Sequence, residues 1–129
     1  MAEPVKEKEK QEKALDPGIK IGASKLDPDQ IEKVINSVLK GETGARLKAY
    51  VDTCIHCGLC SEACHYYLSH DNDPRYAPVG KVKQTIWEML KKKGRVDKEF
   101  IERAAEIAHT ECNLCKRCAQ YCPFGIDIA

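Results

Sequence analysis

A chain of 129 residues, 43% hydrophobic and 32% charged, has the size of one globular domain, and none of its apolar runs reaches the ~18 residues of a membrane-spanning helix. Lysine plus arginine (21) nearly cancel aspartate plus glutamate (20), and a net +1 leaves no electrostatic footprint for nucleic acid. Eight cysteines beside only 6% aromatic residues point to a thin apolar core that cysteine chemistry must help to hold.

Met1–Lys13 mixes lysine and glutamate and lacks the apolar segment of an export signal. The expectation is a reducing cytoplasm, where eight cysteines rarely form disulfides. Residues 1–25 read as a flexible arm, because Pro17-Gly18 ends any helical run. Residues 26–129 read as the folded domain.

The first helix opens at Asp27-Pro28. Aspartate suits an N-cap, proline the first helical position, and Gln30 completes a capping box. Ile31, Val34, Ile35, Val38 and Leu39 form one apolar stripe at helical spacing, and Gly41 ends it. A second helix over Ala45–Thr53, with Leu47, Tyr50 and Val51 inward, delivers the chain to Cys54. His70-Asp71-Asn72-Asp73-Pro74 is a turn. A long helix over Pro78–Lys93 follows, with Val79, Val82, Ile86, Met89 and Leu90 on one face, Trp87 and Met89 read as core, and Gly94 as its stop. Another helix spans Asp97–His109, with Phe100, Ile101, Ala104, Ala105 and Ala108 inward. No segment alternates with period two for long, so the fold class is all-α.

Two runs carry the chemistry. Cys54, Cys57, Cys60 and Cys64 are spaced C-x2-C-x2-C-x3-C, and Cys112, Cys115, Cys118 and Cys122 repeat the spacing, followed by Pro123. This is the bacterial two-cluster ferredoxin signature. Thiolates at i, i+3 and i+6 curl around one face of a cubane [4Fe–4S] cluster and reach three irons. Gly58 lets the backbone pass close to it. The last cysteine of each run faces away and ligates the other cluster. The expected sets are Cys54, Cys57, Cys60 with Cys122, and Cys112, Cys115, Cys118 with Cys64. Tetrahedral zinc is the competing reading, but it uses two C-x2-C pairs and would strand several thiols. His56, His65 and His109 lie in or beside the motifs and read as neighbours of the clusters rather than ligands. Lys116 and Arg117 place positive charge inside the second motif.

The long helical segment between Cys64 and Cys112 differs from the compact bacterial ferredoxin. It resembles the α-helical ferredoxin superfamily, and within it the heterodisulfide reductase C subunit. It is also similar to the ferredoxin-like N-terminal part of iron–sulfur proteins in sulfate-reducer redox complexes. The stretch Tyr66–Lys81 and the ending Cys122-Pro123-Phe124-Gly125-Ile126-Asp127 carry the likeness, which runs from about Lys48 to Asp127. His65 departs from it, standing where many ferredoxins have proline. The resemblance implies a subunit that relays single electrons through two [4Fe–4S] clusters in a heterodisulfide-reductase-like oxidoreductase complex. It implies a flavin- and cluster-containing subunit on one side and a cysteine-rich catalytic subunit on the other, with a membrane cytochrome as partner in some relatives. The CCG-type motifs of longer relatives do not occur here. No catalytic residue is evident in the sequence, and substrate chemistry is expected in partner subunits. Two alternatives are an enzyme subunit with one catalytic cluster, which needs an iron without a protein ligand, and a cluster-bearing redox sensor.

Overall fold

Asp27 accepts a hydrogen bond from the Asp29 N–H at 3.4 Å, and Pro28 then starts the helix whose apolar stripe the sequence displays. The computed structural model describes residues 16–129, and among them every regular element is helical. In chain order these are α1 (Pro17–Ser24), α2 (Pro28–Lys40), α3 (Glu42–Thr53), α4 (Leu59–Glu62), α5 (His65–Ser69), α6 (Pro78–Val82), α7 (Glu88–Lys91), α8 (Lys98–Thr110) and α9 (Arg117–Gln120). The all-α expectation is met. Gly41 closes α2 as expected, while α3 begins at Glu42, ahead of the Ala45 start that was expected.

One difference concerns the N-terminal segment. The flexible arm expected over residues 1–25 is helical from Pro17 to Ser24, and its first residues, 1–15, lie outside the described part. Pro17 begins a helix there instead of ending one, because Asp16 caps it and accepts from the Gly18 N–H at 2.7 Å. α1 packs on α8, and Ala23 is buried between them.

A second difference concerns the long helix. The helical path is continuous from Pro78 to Lys91, but a π-turn over Lys83–Trp87 joins α6 to α7. The Thr85 hydroxyl donates to the Lys81 carbonyl at 2.7 Å in that turn. The added residue shifts the register that plain 3.6-residue spacing predicts. Trp87, expected in the core, is 40% exposed, with the Lys91 ammonium 5.1 Å from its ring centre.

The frame is held by a modest core of Ile31, Tyr76, Ala77, Phe100, Ile107 and Ile126. α2 packs on α3, and α8 packs beside the π-turn. In α8 the Asp97 carboxylate accepts from the Phe100 N–H at 2.8 Å, which caps the helix and fixes the buried Phe100 ring at its start. His70–Asn72 form a turn, as expected of the His70–Pro74 segment, but Pro74 instead opens a short 3-10 helix over Pro74–Tyr76. Asp71 and Asn72 hold positive φ there, and the His70 ring stacks on Tyr76 at 3.8 Å. The 3-10 helix that follows packs against both α5 and α6.

Candidate metal centre

The two cysteine runs fold alike. Each has a left-handed residue before its second cysteine, His56 (φ 58) and Leu114 (φ 55). Each has another just after it, Gly58 (φ 84) and Lys116 (φ 61). Gly58 takes this conformation freely, whereas His56, Leu114 and Lys116 carry strain of about 1–2 kcal/mol each. Left-handed residues on either side of a cysteine are the backbone from which concavities for anions such as sulfide and thiolate are built. The Leu114 N–H points at the Cys112 sulfur at 3.4 Å. Gly58 and Lys116 then cap the short helices α4 and α9, which carry Cys60 and Cys118 and pack against each other.

The eight cysteines line two cavities. Cys54, Cys57, Cys60 and Cys122 surround one of about 80 Å³. Cys64, Cys112, Cys115 and Cys118 surround a roomier one of about 330 Å³. Each cavity thus takes three cysteines from one run and the last cysteine of the other. Val82, Ile86 and Ile128 line both cavities and form an apolar partition between them. The π-turn supplies Ile86 to that partition, so the shift in helix register serves the site.

Apart from His56 and Asp127, the first cavity is apolar, with Leu47, Tyr50, Val51, Val79 and Phe124 among its walls. The second carries more charge. Lys81, Glu111, Lys116 and Arg117 all line it. Lys116 is paired with Asp127, which lines the first cavity, at 3.1 Å.

Burial pushes the Cys60 thiol up, and it pushes the Cys118 thiol up to about 11. Desolvation penalises the thiolate, and for Cys118 the neighbouring Cys60, Cys112 and Cys64 add to the penalty. One thiol at each cavity, Cys60 and Cys118, thus resists ionisation, and a cationic body among the four would offset that cost, since metal binding removes thiol protons. Among the described residues no three His, Cys, Asp or Glu side chains converge on a single point as one metal ion demands. The thiols stand apart around each cavity, and a spread donor set fits a multi-iron body better than a single tetrahedral ion.

The histidines fall into two classes. His56 lines the first cavity and His65 the second. His109, expected beside the second motif, instead lines the groove between α1 and α8. Two contributors went unread in the sequence. One is the wall formed by Phe124, Ile126 and Ile128, for which the apolar alternation after Pro123 was the available signal. The other is Lys81, a lysine in the apolar run of a helix, which is buried at 9% exposure. Its ammonium donates to the Glu111 carbonyl and lies 4.9 Å from the Tyr66 ring centre.

Comparison with known proteins gives a consistent picture. Residues 50–126 match the family described as a 4Fe-4S dicluster domain. The chain is 26% identical over 117 residues to the Hdr-like menaquinol oxidoreductase iron-sulfur subunit 2 of Archaeoglobus fulgidus, an alignment covering 79% of this chain and 21% of that protein. It is 31% identical over 100 residues to the Hdr-like menaquinol oxidoreductase iron-sulfur subunit of Archaeoglobus profundus, covering 68% of this chain and 18% of that protein. The chain spans about a fifth of the length of these curated relatives. No solved structure gives a significant match. The expected likeness to heterodisulfide-reductase-type iron–sulfur subunits is met by these relatives.

Proposed function

The chain belongs to the 4Fe-4S dicluster domain family, and from that premise we propose that it is an electron-relay subunit carrying two [4Fe–4S] clusters. Bound there, such a cluster supplies a reversible one-electron couple. Cys54, Cys57, Cys60 and Cys122 hold the first group, and Cys112, Cys115, Cys118 and Cys64 hold the second. The observation that carries this reading is the division of eight cysteines between two adjoining cavities, three plus one in each.

The chain's own groups do the rest. The left-handed residues of each loop give it a backbone suited to anions, which favours negative charge on the sulfurs. Val82, Ile86 and Ile128 keep water out of the partition while leaving the two cavities in contact. Four thiols at each cavity leave no iron without a protein ligand, which weighs against a catalytic cluster. The names of the relatives support a place in a heterodisulfide-reductase-like complex in which another subunit oxidises menaquinol. Partners of that kind are a flavin- and cluster-containing subunit, a cysteine-rich catalytic subunit and a membrane cytochrome, with this chain on the cytoplasmic side. No described helix is long and apolar enough to cross a membrane.

The test is iron and sulfide analysis of anaerobically purified protein, with a redox titration followed by electron paramagnetic resonance. About eight irons per chain and two reversible one-electron couples support the proposal. Zinc in place of iron, or a single couple, overturns it.

A further inference from the structure

The two cavities differ in fixed charge. At the first, the charged wall residue is Asp127, and Lys116 neutralises it across the rim at 3.1 Å. At the second, Lys81, Arg117 and Glu111 remain. Arg117 is exposed, and water screens its charge. The Glu111 carboxylate lies within electrostatic reach of Arg75. Lys81 is buried, and among the described residues its ammonium meets the Glu111 carbonyl and the Tyr66 ring, both neutral groups. They hold the ammonium in place without cancelling its charge. The carbonyl it grips belongs to the residue before Cys112, so the charge is anchored at the start of the second motif.

A buried lysine costs desolvation energy, and a hydrogen bond to one carbonyl could be supplied by a neutral side chain. A cation in that place does something a neutral donor cannot. Adding an electron to a group in the second cavity adds negative charge beside it, and a desolvated cation favours that state far more than a solvated one.

We propose that Lys81 makes the two sites unequal, raising the reduction potential at the Cys64, Cys112, Cys115 and Cys118 site above that at the Cys54, Cys57, Cys60 and Cys122 site. An electron delivered to the first site by a one-electron donor then moves to the second and rests there until an acceptor removes it. One electron leaves the first site for each that enters the second. The inference rests on the two-cluster reading given above.

The experiment is a dithionite titration of the holoprotein monitored by electron paramagnetic resonance. Cys57→Ser and Cys115→Ser assign the two couples to their sites. Lys81→Gln should shift the second couple about tenfold toward the oxidised form, about 59 mV lower for one electron, and leave the first in place. Lys81→Arg, which keeps the charge, should stay near the parent value. Glu111→Gln, which removes an anion and keeps the carbonyl, should move the second couple the opposite way. A second couple unmoved by either charge change, or both couples moving equally, overturns the proposal. If Lys81→Gln does not retain iron at the second site, the order of the two couples in the parent protein decides, and a second couple at or below the first overturns the proposal. Fewer than two couples in the parent protein overturns the two-cluster reading itself, and the inference falls with it.

Discussion

In α2 and α8 the sequence and the backbone agree on caps and extent, although Val34 and Val38 of the expected α2 stripe are exposed and the buried Ile107 was not among the residues expected inward. Asp27 and Asp97 cap the helices, Pro28 takes a position with no N–H to lose, and Ile31, Phe100 and Ile107 are buried. The cysteine loops 54–60 and 112–118 are built the opposite way. They hold three non-glycine residues in the left-handed region, expose Ile55 and Leu114, and place the Cys60 and Cys118 thiols where desolvation opposes their ionisation. The helical frame stands on its own contacts. The loops do not recover their cost from the protein and need the metal–thiolate bonds to do so. The contrast separates what the chain holds by its own packing from what the cofactor completes.

The largest expected effect comes from removing iron. Chelation under anaerobic conditions should leave most of the far-ultraviolet helical signal, while amides of residues 54–64 and 112–122 lose hydrogen-exchange protection and cooperative melting weakens. An iron-free chain with the melting transition and loop protection of the loaded one would erase the distinction between frame and loops.

The frame can be broken separately. Phe100→Ala should destabilise the protein by about 3 kcal/mol, the lower end for a buried phenylalanine because this core is thin. Denaturant titration of the loaded protein measures it, and the visible spectrum of surviving folded protein should be unchanged. Gly44→Ala should cost about 1–3 kcal/mol, since a Cβ there would overlap the Leu39 carbonyl where α2 meets α3. The same titration checks it. The smallest effect belongs to Arg103→Ala. The guanidinium pairs with Glu88 at 3.0 Å between α8 and α7, but both side chains are partly exposed. The loss should stay below about 1 kcal/mol in the same assay.

The parts legible in the sequence are those in which one local signal decides. Asp27-Pro28 and Gly41 bracket α2 within a residue, and the spacing of eight cysteines announces the site. The unread parts depend on contacts distant in sequence or on register. α1 exists because Asp16 caps it and α8 covers it, while Pro17-Gly18 alone reads as a break. Trp87 lies at the surface because a π-turn, invisible to 3.6-residue periodicity, rotates the register. Leu114 and Lys116 carry no turn propensity, and only the parallel with His56 and Gly58 reveals their left-handed backbone. Lys81 looks like any helical lysine until Tyr66 and Glu111 close over it.

The central claim is that the last cysteine of each run serves the opposite cavity. Single alanine variants at Cys57, Cys115 and Cys122, followed by electron paramagnetic resonance during redox titration, test it most directly. The account predicts that Cys122→Ala disturbs the couple lost in Cys57→Ala and spares the one lost in Cys115→Ala. Loss in Cys122→Ala of the same couple as in Cys115→Ala, with the Cys57 couple intact, would contradict it.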